Sequence, residues 1–272
     1  MTCCVFGPGL VGSFLGAAAA SAFAIPGPSG SVRAHRILLN GQEIAWQPRL
    51  VQLHDEQVAR QPVLIASRVH ETPWDQLPLD ARAAQNGLGQ PRAVVTCFFA
   101  IDRRSDGVIC ATGPAPRVVV GAADGRWAAV FSSWRAHGLQ VDICDDPRPA
   151  QWEKTVLNAT VGPLCLATGL SMGSIWADAR WRSLVLAATS EGETISRASG
   201  VACPAGMLAR AERFFSQVGN HRPSLLDDPG ELPWVLGFLL EAAEDLRLPA
   251  PALREIAGLV ASRHGTPLAA PS

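Results

Sequence analysis

The chain has 272 residues, 48% of them hydrophobic and 17% charged, with a formal net charge of −1. Such a composition belongs to a globular protein with room for one large or two medium domains, and it excludes a disordered chain. The near-neutral balance removes the electrostatic basis for binding nucleic acid or an anionic membrane surface.

Residues 1–24 are apolar and end in Ala22-Phe23-Ala24, as a secretory leader does, yet the first basic residue is Arg33. A leader starts with positive charge, and glycines at 7, 9, 12 and 16 suit a turn and a helix start better than a membrane crossing. The segment is therefore expected to be folded protein and the location cytoplasmic. Seven cysteines (3, 4, 97, 110, 144, 165 and 203) fall at no CxxC or Cys/His ligand spacing. No metal is expected, and buried thiols in a reducing compartment are.

Thr2–Phe6 is a short β-prone run. Gly7-Pro8-Gly9-Leu10-Val11-Gly12 follows, then an alanine-rich helical stretch from Ser13 to Ala22. Strand, glycine turn and helix in that order form the context of a dinucleotide-binding loop. Gly7 permits the tight turn, Gly9 lets a pyrophosphate approach the backbone, and Gly12 allows close packing of helix on strand. The phosphates would then sit at a helix N-terminus, where N–H groups and the dipole favour anions. An ordinary glycine-rich turn between strand and helix is the plain alternative. The acidic residue that usually follows about twenty positions later, holding the ribose of NAD, is missing: the first acid in the chain is Glu43. Arg33 and Arg36 stand in that region instead. This favours a 2′-phosphate and hence NADP, with simple solvation of both arginines as the alternative.

Gln61–Ser67 is a continuous apolar run that suits a buried parallel strand. Val94–Ile101, Val108–Cys110 and Val118–Val120 supply later strands, with Asp106-Gly107 as a hairpin turn. Gln85-Asn86-Gly87-Leu88-Gly89 is a polar glycine loop from which a side-chain amide can face a ligand. At Pro147 strand-like runs stop and helical periods begin, with helices expected over about 150–162, 175–200, 204–218, 231–247 and 250–263. The expected fold is an α/β N-terminal domain with a Rossmann-type parallel sheet, residues 1–147, followed by an all-α C-terminal domain, residues 148–272.

The helical half opens on the most informative residue. Lysine and arginine total 23, and Lys154 is the sole lysine, so 23 − 1 = 22 are arginine. Lysine can give and recover a proton near neutral pH, which arginine cannot. Asn158 follows one turn later on the same helical face, while Trp152, Val156, Leu157 and Val161 line the apolar face. Pro163 is expected to end or kink this helix. A solvated surface lysine is the plain alternative. Further on, Ser224 is a candidate helix cap and Glu231 a first-turn acid that complements a helix dipole.

Together these stretches resemble the ketopantoate reductase family (2-dehydropantoate 2-reductases) over nearly the whole chain. VFGPGLVGSFLG resembles the family's nucleotide fingerprint, QNGLG its asparagine motif at Asn86, and WEKTVLNATVGPL its lysine helix at Lys154 and Asn158. PSLLDD, ELPWVLG and LRLPAP resemble its carboxy-terminal elements at Ser224, Glu231 and Pro249. The resemblance implies NADPH-dependent reduction of a 2-oxo acid, by default 2-dehydropantoate, to a 2-hydroxy acid in pantothenate synthesis. It implies Lys154 as proton donor, and Gly7, Pro8, Gly9, Leu10, Val11, Gly12, Arg68, Asn86 and Glu231 at the cofactor. Asn86, Asn158 and Ser224 are implied at the substrate. Departures fall at Gly162, Met172 and His221, where the family often has asparagines, and at Arg68 in place of a lysine. Gly162 and Met172 in place of polar residues suggest a paralogue acting on another 2-oxo acid. A dinucleotide-binding sensor without turnover is a further alternative, against which the retained Lys154 stands. A homodimer stays open, since no sequence feature demands one.

Overall fold

The computed structural model describes residues 3–27 and 35–265. The chain divides into two compact units, Met1–Gln85 with Gln90–Pro147, and Asn86–Gly89 with Arg148–Ser272. The loop Asn86–Gly89, expected from sequence within the first domain, thus groups with the helical unit.

The strands of the first unit are β1 (Cys4–Phe6), β2 (Phe23–Ile25), β3 (His35–Leu39), β4 (Gln42–Trp46), β5 (Arg49–Leu50), β6 (Val63–Ile65), β7 (Arg82–Ala83), β8 (Ala93–Arg103), β9 (Ile109–Gly121) and β10 (Gln140–Cys144). Helices α1 (Leu10–Ala18), α2 (Glu56–Ala59) and α3 (Gly125–Ala136) are interspersed. The sheet order is β4-β3-β9-β8-β7-β6-β1-β2-β5, with β10 also beside β9. Its centre is parallel: β1 lies between β2 and β6, and all three residues of β1 and of β6 are buried. Strands covered on both faces need apolar residues at every position, which CVF and VLI supply.

Two antiparallel hairpins extend this parallel core. Asn40 and Gly41 join β3 to β4 with φ of 46° and 76°. Positive φ at both central residues is the hairpin turn that an Asn-Gly pair favours. β8 and β9 pair on either side of the Arg104–Gly107 turn, and their register shifts between Phe98 and Ala100. That bulge absorbs Gly113, Pro114, Ala115 and Pro116. Prolines donate nothing to a ladder and are tolerated there. The expected separate strands at Val108–Cys110 and Val118–Val120 are therefore one strand, β9.

A buried cation ties β7 to the start of α3. Arg82 donates to the carbonyls of Gly121 and Ala122, and its guanidinium lies 5.2 Å from the Trp127 ring centroid and 5.3 Å from that of Phe131. Burial lowers its pKa, opposed by the Asp124 carboxylate. Asp124 also caps α3, accepting from the N–H groups of Arg126 and Trp127.

The second unit contains α4 (Arg148–Thr168), α5 (Met172–Ala177), α6 (Ala179–Ala198), α7 (Met207–Gln217), α8 (Phe238–Asp245) and α9 (Pro251–His264). Of the two outcomes expected at Pro163, an end or a kink, the first does not occur: α4 runs on to Thr168. A mid-helix proline costs about 3 kcal/mol. Here Ala159 to Ala167 are all buried, and that apolar burial offsets the lost bond. The expected single helix over 175–200 is broken at Asp178, whose carboxylate caps α6 by accepting from Arg180 and Trp181. α4 and α6 approach closely at Gly192, where a Cβ would lie 2.5 Å from Val156 Cγ1. Glu191 on α6 accepts from the N–H groups of Ala252 and Leu253, closing the first turn of α9. Among the described residues no helix is long and apolar enough to cross a membrane.

All seven cysteines are free thiols. Burial pushes the pKa values of Cys3, Cys4 and Cys165 up to about 12, with the neighbouring Cys4 adding to the shift at Cys3. A thiol raised by folding stabilises fully below its unfolded value, and the stability is lost as pH climbs toward the folded value. Melting temperature is accordingly expected to drop between about pH 9 and 12, and less steeply in Cys165→Ala. An unchanged slope in that variant would mean that other groups drive the loss.

Candidate active site

In the first unit the glycine turn joins the end of β1 to α1. Gly7 has φ +63°, and a Cβ there would lie 2.5 Å from Ser67 Cβ, so only glycine fits. Its N–H donates to Ile25 O at 2.9 Å, tying the turn to the end of β2. A Cβ at Gly12 would lie 2.6 Å from Ala66 Cβ and 3.3 Å from Val5 Cγ1, so helix and strands touch through this glycine. Gly9 differs from both. It is the exposed N-cap of α1, has no side-chain cap, and a Cβ there would meet no atom of the described residues within 4 Å. Pro8, Leu10 and Val11 complete the first turn and are half-buried. Open space over an uncapped helix N-terminus, with no acid in its first turn, fits a dinucleotide pyrophosphate.

Beside this turn lies a cluster that sequence inspection missed. Gln85 Nε2 donates to Ser67 O and to Thr72 Oγ1, both at 2.7 Å, and the Ser67 and Thr72 hydroxyls are 2.9 Å apart. Gln85 Oε1 is buried and has no partner among the described residues. An orphaned acceptor of this kind calls for a donor, and a dinucleotide offers ribose hydroxyls and an amide. The signal was present in sequence, because Gln85 opens the QNGLG stretch. Arg68 is half-buried, its carbonyl accepting from Thr72 Oγ1 at 2.8 Å.

One reading is corrected by the sheet. Arg36 lies within β3, between β4 and β9, and not on the exit of β2. Its guanidinium pairs with Glu43 at 3.1 Å and donates to Asp106 O, so its charge is already engaged. Arg33 lies outside the described residues.

In the second unit, α4 presents Lys154 and Asn158 one turn apart, both half-buried; Trp152 and Val156 are buried on the opposite face, and Leu157 and Val161 are buried beside them. Asn158 Nδ2 donates to Asn86 Oδ1 at 2.7 Å, and Asn86 Nδ2 donates to Glu231 Oε2 at 3.1 Å. Glu231 is only 7% exposed. Two amides and a carboxylate thus form one chain, in which each member fixes the orientation of the next. Gln151 Nε2 holds the same loop by donating to Gly87 O at 3.3 Å. At Gly87, with φ +89°, a Cβ would lie 2.5 Å from Trp234 O, so glycine is what lets the loop seat.

Glu231 is not the first-turn acid of a helix over 231–247. It ends a 3₁₀ turn, Pro229–Glu231, that leads into a π-helical turn, Pro233–Gly237, before α8. Such turns are costly and concentrate at functional sites. Ser224 heads a short 3₁₀ turn, Ser224–Leu226, and its exposed hydroxyl caps nothing. Leu225 beside it fills the space at Gly162, where a Cβ would lie 2.8 Å from Leu225 Cδ1. Met172 N–H donates to His221 O at 3.0 Å, so two positions that depart from the family pattern are tied through their backbone.

Residues 146–264 match the family described as ketopantoate reductase PanE/ApbA C terminal. The helical part of the chain is thus similar to the C-terminal domain of ketopantoate reductases. A 2-dehydropantoate 2-reductase of Mesorhizobium japonicum is 29% identical over 128 residues, which is 45% of this chain and 39% of that protein. The match to this curated relative thus spans about two fifths of its length. Solved structures share the fold of the whole chain. A ketopantoate reductase from Ralstonia eutropha superposes with a TM-score of 0.74 at 20% identity, covering 96% of this chain and 97% of that one. A D-mandelate dehydrogenase solved with NADH and anilino(oxo)acetate gives 0.77 at 16% identity, covering 97% and 98%. The Rossmann-type sheet followed by a helical half is therefore the architecture of ketopantoate reductases.

Proposed function

We propose that this chain is an NADPH-dependent oxidoreductase that reduces a 2-oxo acid to the 2-hydroxy acid. The observation that carries the reading is the hydrogen-bonded chain Asn158–Asn86–Glu231, which begins one turn from the sole lysine. The open helix start at Gly9 and Gln85 Oε1, which has no partner among the described residues, support a dinucleotide. A bound NADPH supplies the hydride. As the ketone carbon accepts it, negative charge develops on oxygen, and the Lys154 ammonium stabilises that charge and transfers its proton there. Asn86, locked by Glu231, and Asn158 hold the reactants, and Ser224 meets the far end of the substrate. Arg68 and Glu231 complete the cofactor side.

Preference for NADPH over NADH rests on the absence of any acid before Glu43. The default substrate is 2-dehydropantoate, which would place the reaction in pantothenate synthesis. A paralogue acting on a different 2-oxo acid is favoured by one observation: Leu225 already occupies the space at Gly162, leaving that end of the polar face of α4 apolar. One experiment addresses all of this. NADPH and NADH are titrated by nicotinamide fluorescence, and oxidation is then followed across 2-dehydropantoate, pyruvate, 3-methyl-2-oxobutanoate and phenylglyoxylate. NADPH is expected to bind more tightly and at least one acid to be reduced. No turnover with any of them would sink the enzymatic reading, and tighter NADH binding would sink the 2′-phosphate preference.

A further inference from the structure

α7 lays two side chains of one face, Arg210 and Phe214, against consecutive residues of α4. Arg210 Nε bonds Glu153 Oε1 at 2.5 Å, and the Glu153 side chain is only 4% exposed. The remaining guanidinium nitrogens donate to the carbonyls of Pro204 and Ala205. One residue along α4, the Lys154 ammonium nitrogen lies 5.8 Å from the centroid of the Phe214 ring. That ring is itself held in place. It packs edge-to-face on Phe215 at 5.5 Å, and Phe215, 1% exposed, lies 5.6 Å from the Trp176 ring.

We propose that Phe214 is a positioning residue for Lys154, its π face selecting the side-chain rotamers in which the ammonium is presented for proton transfer. This rests on the reading of Lys154 as the proton donor. A lysine has four rotatable bonds, and ordering it opposes a large rotamer entropy. A ring face attracts the cation through its quadrupole. Arg210 completes the arrangement by engaging Glu153, the carboxylate adjacent to Lys154 in sequence, so that this charge is directed to a guanidinium. The attraction corresponds to about twofold to thirtyfold in the population of the held rotamers.

The test replaces Phe214 with 4-fluoro-, 3,5-difluoro- and 3,4,5-trifluorophenylalanine, which keep the shape of the ring while its quadrupole fades. Turnover is measured with NADPH and whichever of the four 2-oxo acids named above is reduced fastest. kcat is expected to fall stepwise along the series, to about a tenth at the trifluoro ring, while melting temperature and NADPH binding hold. Phe214→Trp should retain turnover, and Phe214→Leu should lose as much as the trifluoro ring. A flat series, or full turnover by Phe214→Leu, overturns the inference. Lys154→Ala separates the two levels: an inactive Lys154→Ala with a flat series removes only the role of Phe214. An active Lys154→Ala removes the proton donor, and the positioning role with it.

Discussion

Lys154→Arg is expected to cut kcat by about 10²–10⁴-fold, the usual contribution of a general acid, while the folded enzyme still binds NADPH. Arginine retains the charge but stays protonated at any accessible pH, and its planar fork puts that charge in a different place. Lys154→Ala should be at least as damaging. Neither change should disturb α4, because Lys154 is half-buried on the face opposite Trp152 and Val156, which hold the helix in the core. A solvated lysine predicts the reverse, since its arginine replacement would join 22 others without consequence. Stopped-flow turnover of the three proteins decides the matter, and near-normal activity in Lys154→Arg would falsify the proposed mechanism.

The glycine turn offers an equally large effect with a built-in control. Gly9→Val is expected to abolish NADPH binding and leave melting temperature almost unchanged, because a Cβ at Gly9 meets no atom of the described residues within 4 Å. The added side chain would fill only the space over the N-terminus of α1. Gly7→Ala and Gly12→Ala should behave oppositely. The first forces a side chain onto φ +63° and into Ser67, and the second drives a methyl group to 2.6 Å from Ala66 Cβ. Each should cost about 1–3 kcal/mol of stability through backbone strain or overpacking. Fluorescence titration and thermal melting on the same preparations separate the classes. Normal cofactor binding by a folded Gly9→Val would reduce this loop to a structural turn.

Much of the fold was legible because its signals are local. The β-prone run ending at Phe6 announces a strand and the continuous apolar run Gln61–Ser67 a buried parallel one, and they became β1 and β6. Asp106-Gly107 announced the β8–β9 hairpin. Asn40-Gly41 carried an equally strong hairpin signal that was passed over, although positive φ at both residues bears it out. The long course of α4 was less legible, since Pro163 alone argues for a stop. Only the burial of Ala159 to Ala167 explains why the helix continues. For the same reason the π-helical turn after Glu231 and the bulge at Gly113–Pro116 escaped notice. Both are adjustments that packing imposes on chain segments whose own preferences are ambiguous.

The candidate site divides along the same line. Residue type and spacing alone single out Lys154, the one lysine, place Asn158 a turn away, and assign different duties to Gly7, Gly9 and Gly12, because helical period and backbone sterics act over a few residues. Which arginines are engaged elsewhere, and which amide meets which carboxylate, depends on contacts between distant positions. Asn158 reaches Asn86 across 72 positions, and Asn86 reaches Glu231 across 145. Arg36 likewise spends its guanidinium on Asp106, 70 positions on. Phe214 meets Lys154 only because α7 packs against α4, with Arg210 gripping Glu153 beside it. Such pairings carry no local sequence signal, since any exposed amide or ring looks the same until the core has chosen its neighbours.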